Sequence, residues 1–375
     1  MIIHRQITEK IESSLFQGKA VIIYGPRQAG KTTLVKQIME ACKKKKQYCN
    51  CDFLDIQEIF SYKNAGKLGD FLKNIDLLVL DEAQRIKNIG MTLKIIVENY
   101  PHLQVIATGS SSFDLSNEIN EPLTGRKIEF TLFPFSINEV SQNKIDYSRN
   151  IEKFLRFGGY PEPFYKSEKD KILYLKGLTN EYLFKDVFAF QDIRKPELLT
   201  NLLKLLAFQI GQEVSFTELS QKLNVDQVSV QRYIKILEDS FVIFRLSALS
   251  RNMRNEVSKT RKIYFYDLGV RNTLIQNYNN LETRNDVGFL WENLCILERM
   301  KQLSYNQDFR NVYFWRNYKQ KEIDYIEEQG GKFTPFEFKW SETKKVLIPN
   351  DFSQNYKSAD LKIIHKNNLE EFVDI

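Results

Sequence analysis

Three short apolar runs punctuate the first third of the chain: "AVIIYG" (20–25), "IDLLVLDEAQ" (75–84) and "LQVIATGSSS" (103–112). Each is too short for a buried helix and ends in glycine, acids or hydroxyls, which predicts fully buried strands. Between them "KTTLVKQIMEACKKK" and "MTLKIIVENYP" repeat apolar residues at helical spacing, and residues 1–18 read as a further amphipathic helix. Strands alternating with helices predict an α/β unit with a parallel sheet, running to about residue 150. The pattern then turns helical around "RFGGYPEP" (151–195). A three-helix rhythm follows in "PELLTNLLKLLAFQIG", "SFTELSQKLNV" and "DQVSVQRYIKILEDSFVIFRL" (196–270). The remainder, 271–375, mixes one helix, "DVGFLWENLCILERMKQL", with the short strands "NVYFWRN", "KEIDYIEE", "KFTPFEFKW" and "DLKIIHK". No internal repeat is evident.

A chain of 375 residues is long enough for two or three cores. No run of 18 apolar residues exists, and the charged N-terminus lacks a secretory apolar segment. Four cysteines are too few and scattered for a disulfide framework, and three histidines do not suggest a zinc site. The expected location is cytoplasmic. A net charge of +6 permits nucleic-acid contact without arguing for it. The lysine run at 43–46 reads as a solvated surface beyond a helix.

Candidate chemistry sharpens this picture at "GPRQAGKT". Gly25-Pro26-Arg27-Gln28-Ala29-Gly30-Lys31-Thr32 meets every fixed position of a phosphate-binding loop, between a strand and a helix. Backbone N–H groups of such a loop wrap phosphate oxygens, Lys31 reaches the β- and γ-phosphates, and the Thr32 hydroxyl ligates Mg²⁺. Thr33 continues the helix start. Asp81, ending a buried strand, stands where a carboxylate holds that Mg²⁺, and Glu82 is placed to polarise an attacking water. Thr108 and Ser110 end the third strand. They are candidate γ-phosphate sensors, or equally satisfied turn hydroxyls.

The segment 215–246 has the shape of a helix-turn-helix, with Asp226 capping the second helix. Gln227, Ser229, Gln231, Arg232 and Lys235 are then left to solvent as candidate DNA contacts. Six basic residues between 245 and 262 (Arg245, Arg251, Arg254, Lys259, Arg261, Lys262) form a candidate basic wing.

In the last hundred residues, Gly330-Gly331 predicts a two-residue hairpin turn. Opposed positions then sum to 661, which sets Asp324 against Glu337 and Glu322 against Lys339 on one polar face. Metal-assisted phosphodiester hydrolysis suits such a face. Asp324 and Glu337 would hold Mg²⁺ or Mn²⁺, and Lys339 would orient hydroxide. A salt-bridged polar face is the other account. Pro335 is expected to push the second strand toward a sheet edge.

"YGPRQAGKTTL", "LLVLDEAQ", "VIATGSSS", "PLTGRKIEFTLFPFS" and "GGYPEP", in this order, resemble prokaryotic AAA+-type ATPases with a C-terminal PD-(D/E)xK nuclease-like domain. The resemblance covers essentially the whole chain. It implies a P-loop NTPase core, an all-α winged helix-turn-helix and a C-terminal α/β restriction-endonuclease-like domain. It also implies that Glu292 is the helical acid of the nuclease-like site and that Arg126 is a candidate to complete an ATP site. An Arg126 ion pair with Glu129 or Glu121 is the alternative. The resulting expectation is an ATP- and Mg²⁺-dependent hydrolase that couples turnover to DNA binding or processing, with an oligomer open. The competing expectation is an ATP-controlled regulatory module with a catalytically silent nuclease-like domain.

Overall fold

The computed structural model describes residues 3–61, 65–109, 119, 121–179, 196–250, 261–342 and 346–374. The chain forms two compact units. One is Met1–Pro134 with Asp239–Phe241; the other is Phe135–Glu238 with Val242–Ile375.

The first unit is built on β1 (Ala20–Tyr24), β2 (Lys46–Asn50), β3 (Leu77–Asp81), β4 (Gln104–Gly109) and β5 (Lys127–Thr131). Their order is β2-β3-β4-β1-β5, and all four ladders are parallel. Every residue of β1, β3 and β4 is buried, as a sheet covered on both faces requires. Helices Lys31–Ala41 and Ile89–Asn99 follow β1 and β3 at the expected places. Strand β2 was hidden because it begins inside the lysine run. All four lysines are exposed, and Lys46 Nζ donates to Met39 O at 2.6 Å and Cys42 O at 3.0 Å, near the end of the preceding helix. The first helix is shorter than the pattern 1–18 suggested. It spans Thr8–Ser13, because Arg5 is drawn inward and Phe16 adopts φ 60°.

The second unit holds β6 (Ile243–Ala248), β7 (Arg261–Phe265), β8 (Asn311–Arg316), β9 (Glu322–Gln329), β10 (Lys332–Phe338) and β11 (Lys362–Ile364) in one sheet, ordered β11-β10-β9-β8-β6-β7. The antiparallel pair β6–β7 follows the helices Phe216–Leu223 and Gln227–Asp239. It is not a free-standing wing: β6 continues in parallel into β8 through Ser247↔Tyr313 and Ala248↔Phe314. The 20-residue helix Val287–Asn306 carries Glu292 and Arg299, both buried.

The predicted hairpin forms in the predicted register. Lys332 faces Gln329 and Phe336 faces Tyr325, so pairs sum to 661. Gly330 and Gly331 take φ 59° and 76°, which side-chain-bearing residues adopt only with strain. Strand β10 is not an edge, however, since β11 joins it in parallel from Phe336 to Phe338. Pro335 is tolerated because its nitrogen points away from β9. Phe333 N–H, two residues earlier on the same side, donates to Lys357 O, and the β11 ladder begins only after the proline. Among the described residues no helix is long and apolar enough to cross a membrane.

Candidate functional site

The loop after β1 turns back on itself and opens the helix at Lys31. Gly30, at φ 99°, is its N-cap residue. Gly25 sits so close to the following strand region that an added Cβ would lie 2.1 Å from Leu132 O, and its φ of 150° also excludes side chains. Arg5, 4% exposed, pins the loop from beneath, with Nη1 2.8 Å from Ala29 O and Nη2 2.6 Å from Phe133 O. Nothing in the motif announced Arg5. Lys31 is 4% exposed and donates from Nζ to Gly25 O at 2.8 Å and Pro26 O at 2.9 Å. Arg27, Gln28 and Thr33 are exposed around this cradle. An ammonium group held on loop carbonyls at the N-terminal end of a helix fits a polyphosphate. Gly25→Ala is expected to remove nucleotide binding, measured by calorimetric titration with ADP, because the loop must shift to clear Leu132. The strained backbone alone costs roughly 1–3 kcal/mol.

Asp81 closes the site from the end of β3. Its Oδ2 accepts from Thr32 Oγ1 at 2.7 Å and from the Tyr48 hydroxyl at 2.7 Å, and its Oδ1 accepts from Thr108 Oγ1. Thr108 Oγ1 in turn accepts from Glu82 N–H at 3.1 Å. Thr108 is therefore fully buried as a brace between β3 and β4, which favours the satisfied-hydroxyl account over sensing. Glu82 takes a left-handed backbone (φ 57°, ψ 44°), and its Oε2 accepts from Gln84 Nε2 at 2.6 Å. Ser110 lies outside the described residues. Arg126 is not brought to this site. Its carbonyl accepts from Ala20 N–H at the start of β1, whereas the phosphate loop leaves the other end of that strand. Arg126 pairs instead with Glu98 at 2.9 Å, and neither Glu129 nor Glu121 is that partner.

The helix-turn-helix presents Gln227, Gln231, Arg232 and Lys235 as exposed side chains. Ser229 is used otherwise: its hydroxyl donates to Asp226 Oδ2 at 2.7 Å and its N–H to Asp226 Oδ1 at 2.8 Å, completing the helix cap. The three described residues of the basic wing have internal partners. Arg245 is paired with Glu238, Arg261 lies over the Phe216 ring, and Lys262 is 2% exposed. Arg251, Arg254 and Lys259 lie outside the described residues.

Lys262 enters a carboxylate cluster that sequence spacing only half foresaw. Glu292, Glu322 and Asp324 bring one oxygen each within 4.8 Å of one another. Lys262 Nζ lies 2.8 Å from Glu292 Oε1 and also pairs with Glu322. Tyr264, two residues on and so on the same face of β7, donates its hydroxyl to Glu292 Oε1 at 2.6 Å. Asp324, Glu337 and Lys339 do converge: Lys339 Nζ is 2.7 Å from Glu337 Oε2 and 3.9 Å from Asp324 Oδ2. The anticipated Glu322–Lys339 pair is absent, and Glu322 takes Lys262 and Arg316 instead. A bulge in β9 accounts for this. Tyr313 faces Ile326 while Trp315 faces Ile323, so two steps of β8 span three of β9 around Asp324. The extra residue re-aims Asp324, whose Oδ2 accepts from Phe338 N–H at 2.9 Å. Burial, reinforced by the Asp324 charge and opposed by Lys262, pushes the Glu292 carboxyl up to about 7. Burial and then Asp324 raise Glu337 to about 7 as well.

Comparisons with known proteins support the P-loop ATPase character of the first unit. Residues 17–141 match the AAA domain family, residues 148–281 a domain of unknown function (DUF8612) and residues 287–371 another (DUF4143). An uncharacterised protein of Mycobacterium tuberculosis is 27% identical over 351 residues, covering 92% of this chain and 76% of that protein. An uncharacterised protein of Methanocaldococcus jannaschii is 25% identical over 344 residues, covering 85% of this chain and 74% of the relative. A Walker-type ATPase of Pyrococcus abyssi shares the fold with a TM-score of 0.52 at 17% identity, over 73% of this chain and 96% of its own. The parallel sheet, the loop geometry and the AAA match make the first unit a P-loop ATPase domain.

Proposed function

We propose that this chain binds and hydrolyses MgATP in its first unit and couples that turnover to DNA held by the second. The observation that carries the reading is the chain of contacts Lys31–loop and Thr32–Asp81, which joins the phosphate loop to the end of β3. In this reading the loop from Gly25 to Thr33 cradles the phosphates, and Lys31 offsets charge on the β- and γ-groups. Thr32 and Asp81 are the residues that would hold Mg²⁺, which supplies further charge neutralisation at the phosphates. Glu82 orients and deprotonates the attacking water. The helix-turn-helix, read as part of a winged helix over 196–270, meets DNA through Gln227, Arg232 and Lys235. The segment 271–375 is the PD-(D/E)xK-like part, with Glu292, Asp324 and Glu337 as metal ligands for Mg²⁺ or Mn²⁺ and Lys339 as the hydroxide-orienting cation.

A second reading is favoured by Lys262. An ammonium group seated on Glu292 and Glu322 takes the charge that a divalent ion needs, which suits a recognition module that cuts nothing. One experiment separates the readings: plasmid DNA with Mg²⁺ or Mn²⁺, with and without ATP, for wild type, Asp324→Ala and Lys31→Ala. Nicking lost in Asp324→Ala supports the nuclease. Binding without nicking, weakening steeply with salt, supports recognition alone. Neither binding nor nicking ends the DNA assignment.

A further inference from the structure

We propose that Tyr48 is a positioning residue that fixes Asp81 for Mg²⁺. This rests on the MgATP reading above. Strand β2 lies beside β3 with Tyr48 opposite Val79 and Asn50 opposite Asp81, so the Tyr48 side chain reaches two residue pairs forward to the carboxylate. Its hydroxyl shares Oδ2 with Thr32 at the same 2.7 Å, while Thr108 occupies Oδ1. With both oxygens accepting, from the loop helix, β2 and β4, the carboxylate plane cannot rotate. Thr32 spends its proton on Asp81, which leaves its oxygen lone pairs available to a metal.

The chemistry of the three donors matters as much as their number. All are neutral hydroxyls, so they orient Asp81 without bringing an opposing charge to it. The second unit does the opposite, where Lys262 orients Glu292 and Glu322 by cancelling charge. The Tyr48 ring is held from the helix that begins at Lys31: Lys36 Nζ lies 5.1 Å from its centroid.

The test is calorimetric ADP binding with and without Mg²⁺, in wild type, Tyr48→Phe and Tyr48→Gln. Wild type is expected to bind ADP more tightly with Mg²⁺. Tyr48→Phe keeps the Mg²⁺-free affinity within about twofold and loses about tenfold or more of the Mg²⁺ advantage, as removal of a hydrogen bond to a charged group implies. Tyr48→Gln, which still offers a neutral N–H donor, recovers part of it. In turnover, the Mg²⁺ concentration for half-maximal rate rises while kcat at saturating Mg²⁺ stays close to wild type. An unchanged Mg²⁺ advantage in Tyr48→Phe overturns the assignment, as does an equal loss of affinity with and without Mg²⁺. If wild type binds no ADP at all, the MgATP reading falls and this inference with it.

Discussion

Lys31→Ala is expected to lose ATP hydrolysis by at least about 100- to 1,000-fold, the scale on which removal of a charge-stabilising group from a preorganised site acts. The structure gives a reason beyond the motif. Lys31 is buried, and its ammonium group already ties Gly25 O and Pro26 O, so the loop is shaped around it before any phosphate arrives. Its removal takes away both the charge and that shaping. The fold should survive, because every residue of β1, β3 and β4 is buried and Lys31 lies outside these strands. Loss of the two carbonyl contacts is worth about 1–2 kcal/mol. Phosphate release is the activity readout, and circular dichroism checks folding. Wild-type turnover in a folded Lys31→Ala protein would contradict the ATPase mechanism.

The largest effect on stability is expected at Lys262→Met. Glu292, a buried acid, loses its cation and keeps only the Tyr264 hydroxyl, while Glu322 falls back on Arg316. Breaking one side of a buried pair typically costs about 3–5 kcal/mol. Urea unfolding should show a lowered midpoint with an unchanged slope. The same variant reports on function. With Lys262 gone, Glu292, Glu322 and Asp324 present three carboxylates within 4.8 Å and no ammonium between Glu292 and Glu322. Should Lys262 stand in for a metal, Mn²⁺ restores much of the lost stability by binding only the folded state, about 2.7 kcal/mol at a hundredfold excess over its Kd. If the variant is as stable as wild type, the ion pairs are energetically idle. If Mn²⁺ stabilises wild type and variant equally, the metal uses other ligands.

The contrast between the two sites shows what a sequence carries. Gly25 to Thr32 is one continuous segment whose geometry is local: a strand, a turn of fixed length and a helix start. Asp81 follows a strand that must be buried because it is all apolar. The hairpin register was equally local, since two adjacent glycines fix which residues oppose each other. What failed to be legible depended on distant partners. Strand β2 was masked by lysines, and with it Tyr48. Arg5 reaches the loop from more than twenty positions upstream. Lys262 looked like surface charge because a lysine in a basic stretch is usually solvated. Only the continuation of β6–β7 into the β8–β9–β10 sheet turns it inward to Glu292.

By itself, then, the chain order determined the phosphate loop, the acid of β3 and the Gly-Gly turn, because each is decided by neighbours a few residues apart. Tertiary structure alone decided which charges are kept and which are cancelled. Asp81 meets neutral hydroxyls from three elements, which bring no opposing charge. Glu292 and Glu322 meet an ammonium delivered by a strand from another part of the chain. The reason is physical: a buried carboxylate takes whatever donor the fold brings within about 3 Å, and sequence spacing does not specify a partner that arrives from a distant segment.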